Sequence, residues 1–570
     1  MNRTKLLLID RAASLFLAVA SVLLAGLGAS AQNVQHLSMT YEGGMPGSNV
    51  VTGVTLVTNA VKVTGVKVTW DGPPGYYQLF ESPGTNDPVW VKLTRHNVLS
   101  RTATVPARYS NAFFRVSGPS SLYAGSERCA ECHAPILKTE MHTRHAAAFT
   151  NALFEADGGQ TNSSCLACHT VGFDLPTGFV SQTETPHLAG IQCENCHGPA
   201  AHHAANPDDP SVRPRAEVAA QVCGGCHNDP HHPTFDEWTN SAHALVTNLL
   251  VKKFNAARQM MVTNLNLDAA NQINHCGRCH SGSVRLSLLE TNRLPAGDAD
   301  IGIVCVTCHD PHQTNANPAQ LRNPIASTND YFMPTNGTFA KLYNREINIC
   351  AQCHNHAGAS WTNNNCEPHH SLQYNMLLGT IGEVDFGLPT NQPPAHLLEI
   401  TNQCVGCHMQ TTPFVSEAQP AVTGHSFKVE KHDICVDCHY TTNTPFNEFL
   451  MTNLVTLWTN LVISPLIQQV KTDLDFWATS TNAPASLSAK YGTLAWEYTT
   501  PGSLSSGGPG PDAKEQLLIP ENIRKARFNL YVVQNDGTLG IHNPVSAPIL
   551  LEIADDWIYE QLGLEMPYPF

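Results

Sequence analysis

The string Cys-x-x-Cys-His occurs nine times in this chain of 570 residues. The first five copies are Cys129, Cys132 and His133; Cys165, Cys168 and His169; Cys193, Cys196 and His197; Cys223, Cys226 and His227; and Cys276, Cys279 and His280. The last four are Cys305, Cys308 and His309; Cys350, Cys353 and His354; Cys404, Cys407 and His408; and Cys435, Cys438 and His439. They take all of the 19 cysteines except Cys366, which reads as an inert thiol. Chance, at the chain's own Cys and His frequencies, gives roughly 0.03 such strings. Two cysteines three apart lie side by side on one helical turn. They suit thioether bonds to the two vinyl groups of one haem, with the next residue, histidine, beneath the ring as an axial ligand to iron. Zinc also uses Cys-x-x-Cys pairs, but two at a time. Nine is odd, and zinc gives no reason for a histidine at one fixed offset. The motif predicts nine covalently attached haem c groups.

A second axial ligand closes each iron, and an open position admits substrate. Histidine is in surplus, with 28 in the chain, which favours mostly bis-histidine coordination. His145 and His243 fall on expected helices. His312 follows His309 too closely to reach that iron's other face and is assigned to a neighbouring haem. Of the doublets His202/His203, His231/His232 and His369/His370, one member ligates and the other faces solvent; His203 and His370 are carried forward as ligands. His396 and His425 precede the last two motifs and complete the set, with His187 and His542 as weaker candidates. His142, His275, His356 and His432 read as solvent or propionate neighbours, and His36 and His96 as surface residues. Met409 adjoins His408 and would point away from that haem.

The elements that must position these groups follow from length. Residues 129–439 allot about 35 residues to each motif, too few for a separate apolar core around every haem. A mainly α, loop-rich multihaem cytochrome c region over 123–445, with the haems as its core, is expected. Before it, residues 32–122 carry no cysteine and alternate Val61, Val63, Val66 and Val68 with polar residues, predicting a small β-sandwich-like domain. Short strands are expected at 76–80, 89–94 and 113–116, with a turn at Asp71-Gly72-Pro73-Pro74-Gly75. After it, 446–570 is again free of cysteine and predicts an α-helical lid or interaction segment. Helices are expected over 446–463, over 467–478, from near Pro520 to Asn535-Asp536-Gly537, and from Asn543-Pro544 to about Leu562.

Arg3, Lys5 and Arg11 precede an apolar run ending in Ala29-Ser30-Ala31. This predicts a cleaved signal peptide over 1–31 and a periplasmic or extracellular protein. An uncleaved anchor is the competing reading, with an apolar run near the short limit for spanning. No later segment reads as a span, since Asn447, Glu448, Asn453 and Asn460 interrupt the richest one. No transmembrane segment is therefore expected in the mature chain. The formal net charge of −15 argues against a nucleic-acid partner. Redox proteins of the cell envelope are the expected partners.

Three stretches resemble the multihaem cytochrome c superfamily that includes hydroxylamine oxidoreductase and its tetrahaem electron-acceptor cytochrome. Cys165-Leu-Ala-Cys168-His169-Thr170-Val-Gly-Phe, leading to Gln192-Cys193-Glu-Asn-Cys196-His197-Gly198-Pro199, resembles a paired-haem block of that group. Glu237-Trp238-Thr-Asn-Ser241-Ala-His243 is similar to its Trp-x-x-Ser-x-His element, which implies a distal role for His243. Pro368-His369-His370-Ser371 and Gly424-His425-Ser426-Phe427 resemble segments of related proteins. The likeness spans about 123–440. No Cys-x-x-Cys-Lys string, the active-haem motif of pentahaem nitrite reductases, occurs. The expected function is electron carriage along closely packed, mostly bis-His haems. The alternative is an oxidoreductase acting on a small nitrogen or sulfur compound at one five-coordinate haem.

Overall fold

The computed structural model describes residues 36–41, 51–59, 62–70, 76–82, 91–93, 102–106, 111–245, 276–290, 302–312, 318–322, 349–384, 394–441, 444–505 and 507–565. The expected signal peptide, the turn at 71–75, His96 and His275 lie outside them. The chain divides into two compact units, Met1–Glu217 with His312–Thr314, and Val218–Pro311 with Asn315–Phe570. The division therefore falls within the motif-bearing region, after the third motif.

In the first unit the valine-rich alternation forms strands β1 (His36–Tyr41), β2 (Val51–Asn59), β3 (Lys62–Trp70), β4 (Tyr76–Ser82), β5 (Val91–Lys92), β6 (Thr102–Val105) and β7 (Asn111–Ser120). They make two sheets, ordered β1-β7-β4-β5 and β2-β3-β6. β2 and β3 pair antiparallel with Val54 opposite Val68, whereas β1 runs parallel to β7. Val66 and Val68 are buried and Lys67 between them is exposed, the period of two expected of a half-buried strand.

The motifs sit on short helices with local caps. In Ser163–His169 the Asn162 side chain accepts from the Ser164 amide at 3.1 Å. In Cys193–His197 the Asn195 side chain reaches back to the Gln192 amide at 2.8 Å. The longer helix Ser126–Glu140 is broken at His133 (φ −110°), two residues before Pro135, whose ring lacks the N–H a helix interior needs. Apolar clusters around the motifs are small. One gathers Tyr123, Phe149, Leu166, Val171, Phe179 and Leu188, and another Ala351, Tyr374, Leu377, Leu378 and Leu397.

The large apolar core lies in the C-terminal region, which is therefore more than a lid. Helix α1 (Glu448–Leu457) continues through a π-helical turn at Trp458–Ile463 into α2 (Ser464–Thr479); α3 (Glu521–Asp536) and α4 (Ser546–Leu562) pack with α2. Trp477, Trp496, Ile523, Leu530, Val533, Leu550 and Ile558 are fully or almost fully buried there, together with Leu372 and Met376 from the motif region. Helix α3 ends where the sequence predicts, with Gly537 in the left-handed region at φ 76°. Helix α4 starts two residues later than the Asn543-Pro544 signal placed it, at Ser546, whose amide donates to the Asn543 side chain at 2.9 Å. Among the described residues one helix, Glu448–Thr479, is long and apolar enough by length and composition to cross a membrane. Its first half exposes Phe449, Leu454, Leu457 and Leu461, while its second half buries Ile467, Val470, Leu474 and Trp477.

Buried Arg527 ties this core to the motif region. It donates to the carbonyls of Trp496 and Glu497 at 2.8 Å each, to Gln516 Oε1 at 2.9 Å and to Asn364 Oδ1 at 2.7 Å. Asp555 is also buried, and burial beside the carboxyls of Asp473 and Asp556 pushes it up to about 8. A carboxyl normally titrates near 4, so the folded state favours the protonated form. The stability this group contributes is full below about pH 4 and is lost as pH rises through about 8. Asp555→Asn should therefore raise the melting temperature of the helical signal by a few degrees at pH 9. Near pH 5 the gain should be much smaller, as measured by circular dichroism.

Candidate functional site

The two cysteines and the histidine of each motif are fixed by its helical turn, so the question is which second histidine each motif meets. An imidazole nitrogen lies about 2 Å from a bound metal, and its ring centre roughly 1 Å further, so two axial imidazoles have centres roughly 6 Å apart. Six pairs from separate parts of the chain meet this test. They are His197 and His312 at 5.8 Å, His280 and His369 at 5.8 Å, and His243 and His354 at 6.1 Å. His309 and His425, His396 and His439, and His408 and His542 follow, each at 6.2 Å. The residues fit a haem held between two imidazoles at each place.

The supporting contacts explain how such distant residues meet. Glu237 accepts from the amides of Thr423 and His425, at 2.8 and 2.7 Å, and from the Thr423 hydroxyl at 2.7 Å. One carboxylate thus sets His425 opposite His309. Trp238 Nε1 donates to the Ile303 carbonyl at 2.9 Å, anchoring the same element beside the sixth motif. Gly424 stands at φ +77°, and a Cβ there would lie 2.5 Å from Met409 Cα, so only glycine lets the His425 turn approach the eighth motif so closely.

The imidazoles are oriented by their second nitrogens. Nδ1 of His197, His309, His396 and His408 meets the carbonyl oxygens of Arg215, Ala319, Ile541 and Phe427 at 2.6, 2.7, 2.9 and 3.0 Å. His354 Nδ1 meets Gln373 Oε1 at 3.2 Å, and His542 Nδ1 meets Asp536 Oδ1 at 2.7 Å. Burial, with His354 alongside, pushes His243 down to about 4. The ring is therefore neutral at physiological pH and keeps the lone pair a metal needs.

Against the sequence expectations, His243, His312, His396 and His425 each stand opposite a motif histidine. His312 faces a neighbour's motif, not its own. At the 369/370 doublet the structure places His369 opposite His280. His370 is turned out, 62% exposed and 3.8 Å from Glu367. Ser371 decides between them, since its Oγ meets His369 Nδ1 at 2.9 Å and donates to the Asn355 carbonyl at 2.6 Å. His145 sits on the short helix Arg144–Ala147, where burial pushes its pKa down. His203 lies in Ala201–Ala205 beside buried His202. His227 and His232 are 6.0 Å apart, but they share one loop closed by a bridge between Asp229 and His232, so that proximity is local. The residues underweighted from sequence are His542 and Glu237. His542 directly precedes Asn543, whose side chain accepts from the Ser546 amide at the start of α4.

The motifs themselves touch. Sulfur pairs within hydrogen-bonding reach link motif one to three (Cys129 and Cys193), four to six (Cys223 and Cys305), five to seven (Cys279 and Cys353) and seven to eight (Cys350 and Cys404). In the first unit Glu194 joins motifs one and three, accepting from the amides of Gly125 and Ala200 at 2.9 and 2.7 Å. Attachment points this close require neighbouring macrocycles to be close as well.

The chain is similar to known c-type cytochromes. The family model described as "Cytochrome c554 and c-prime" matches residues 128–198 and 222–310. Cytochrome c-554 of Nitrosomonas europaea is 28% identical over 106 residues, covering 15% of this chain and 45% of that protein. The multiheme cytochrome MtrA of Shewanella baltica is 26% identical over 161 residues, covering 26% of this chain and 45% of that one. The chain thus spans about half the length of these relatives. Among solved structures, the outer cell wall cytochrome OcwA aligns at 18% identity and a TM-score of 0.48 over 77% of this chain and 100% of that one.

Proposed function

We propose that this chain, a member of the multihaem cytochrome c superfamily related to hydroxylamine oxidoreductase and its tetrahaem acceptor cytochrome, carries electrons along nine covalently bound haems, most of them bis-histidine. The observation that supports this most is the set of six facing imidazole pairs, 5.8–6.2 Å between ring centres, on motifs whose sulfurs touch. Each haem, when bound, takes up or gives up one electron at its iron. The chain's own part is to hold and orient. The motif cysteines would hold each ring through thioethers, the motif histidines and His243, His312, His369, His396, His425 and His542 would ligate the irons, and second-nitrogen partners orient the imidazole planes. Two neutral imidazoles on an iron favour low potential and leave no place for a substrate, which suits carriage over catalysis.

The expected setting is the cell envelope, reached through the signal peptide read over 1–31, with redox proteins there as donor and acceptor. The competing function is an oxidoreductase using one open iron on a small nitrogen or sulfur compound. Electron paramagnetic resonance of the ferric protein separates the two. Low-spin signals unchanged by nitrite, hydroxylamine or cyanide are the expected result. A high-spin signal altered by any of these would assign the protein to catalysis.

A further inference from the structure

The partners of the imidazole second nitrogens are not alike. His197, His309, His396 and His408 meet backbone carbonyls, and His354 meets an amide oxygen. His542 meets a carboxylate, and that carboxylate is buried. The Asp536 side chain has 0% exposure, against 18% for His542, and the two are 2.7 Å apart. Thr538 donates to the second carboxylate oxygen, so Asp536 is held in one orientation. Asp536 is the last residue of α3, and His542 lies in the connection that follows Gly537 and leads to α4.

We propose that Asp536 is a positioning residue that makes the haem of His408 and His542 the lowest in potential of the sites whose partners are described above. This rests on the reading of His408 and His542 as two axial ligands of one iron. A carboxylate accepting the Nδ1 proton draws that proton toward itself and makes the other nitrogen a stronger donor. A stronger donor, with negative charge close by in a dry environment, favours ferric over ferrous iron. A carbonyl or amide acceptor lacks the full charge. The same strand of contacts leads to the next site. The Asp536 carbonyl accepts from Gln373 Nε2 at 3.3 Å, while Gln373 Oε1 meets Nδ1 of His354, the motif-seven histidine. The potentials of sites seven and eight are therefore set by one connected group of residues, with the charge on the eighth side. Electrons entering the array would settle on site seven before site eight.

The test uses the full-length holoprotein. Asp536→Asn keeps the side chain's shape and an oxygen that can still accept from Nδ1, removes the charge, and turns the oxygen that accepts from Thr538 into an NH2 group that donates to that hydroxyl instead. In a spectroelectrochemical titration one redox component should move upward, while the others stay in place and the low-spin resonance is retained. A tenfold change in the relative stability of the two oxidation states reads as a shift of about 59 mV for one electron. His542→Ala, measured in parallel, should turn one low-spin signal high-spin. A titration curve for Asp536→Asn that superimposes on the parent, with His542→Ala still producing the high-spin signal, would overturn the potential-setting role and leave the ligation intact. If His542→Ala leaves every low-spin signal in place, the ligation at this site fails, and the proposal with it.

Discussion

Replacing Cys350 and Cys353 together by serine is expected to lower the haem content from nine to eight per chain and to interrupt electron passage through the second unit. This motif has sulfur neighbours on two sides, Cys353 against Cys279 and Cys350 against Cys404. Its histidine also pairs with His243 and, through Gln373, connects to Asp536. Losing it removes a junction, not an end. Absorbance of the pyridine haemochrome per mole of protein should fall by one ninth. Stopped-flow reduction should split from one connected process into phases that no longer communicate. An unchanged haem count would show that these cysteines do not carry a haem. A lowered count with undiminished passage would show that the array does not run through the seventh motif.

The second large effect is expected far from any cysteine. Trp477 is fully buried in the C-terminal core, and truncating such a side chain to alanine costs about 3–5 kcal/mol. This core presents His542 to His408, and its Ile541 carbonyl orients His396 opposite His439. Trp477→Ala should therefore do more than lower the melting temperature. On warming, two low-spin signals should convert at a temperature below that of the rest, while every haem stays attached through its thioethers. Uniform loss of all signals at one temperature would mean that the core and the haem array unfold as one body.

The contrast between these two experiments follows what was legible in the sequence. A haem attachment motif is a covalent instruction contained in five residues, so the nine Cys-x-x-Cys-His strings could be located without a fold. The partner that a second histidine meets carries no such local mark. His243 meets His354 and His425 meets His309 only after long stretches of intervening chain have been folded, and nothing in the spacing selects those partners. Where local chemistry did decide, at His369 against His370, the deciding groups were the Ser371 hydroxyl and the Glu367 carboxylate, whose directions depend on backbone that the doublet alone does not specify. The C-terminal helices were readable because periodic residues such as Ile523, Phe528, Leu530 and Val533 mark a buried face, and all four are buried. That the connection between two of them brings His542 opposite His408 was not, because a helical pattern says which side faces inward and not what the helix end delivers. Glu237 was quoted only as part of a motif, yet its carboxylate organises the His425 turn.

The contacts between sulfurs of different motifs bear on biogenesis. Cys350 beside Cys404, and Cys279 beside Cys353, are harmless neighbours once each sulfur is alkylated by a porphyrin. Naked thiols at the same spacing in an oxidising compartment would be partners for mispairing. The polypeptide must therefore be kept open and reduced until its pigments are installed, with collapse into the compact array as the final act of maturation.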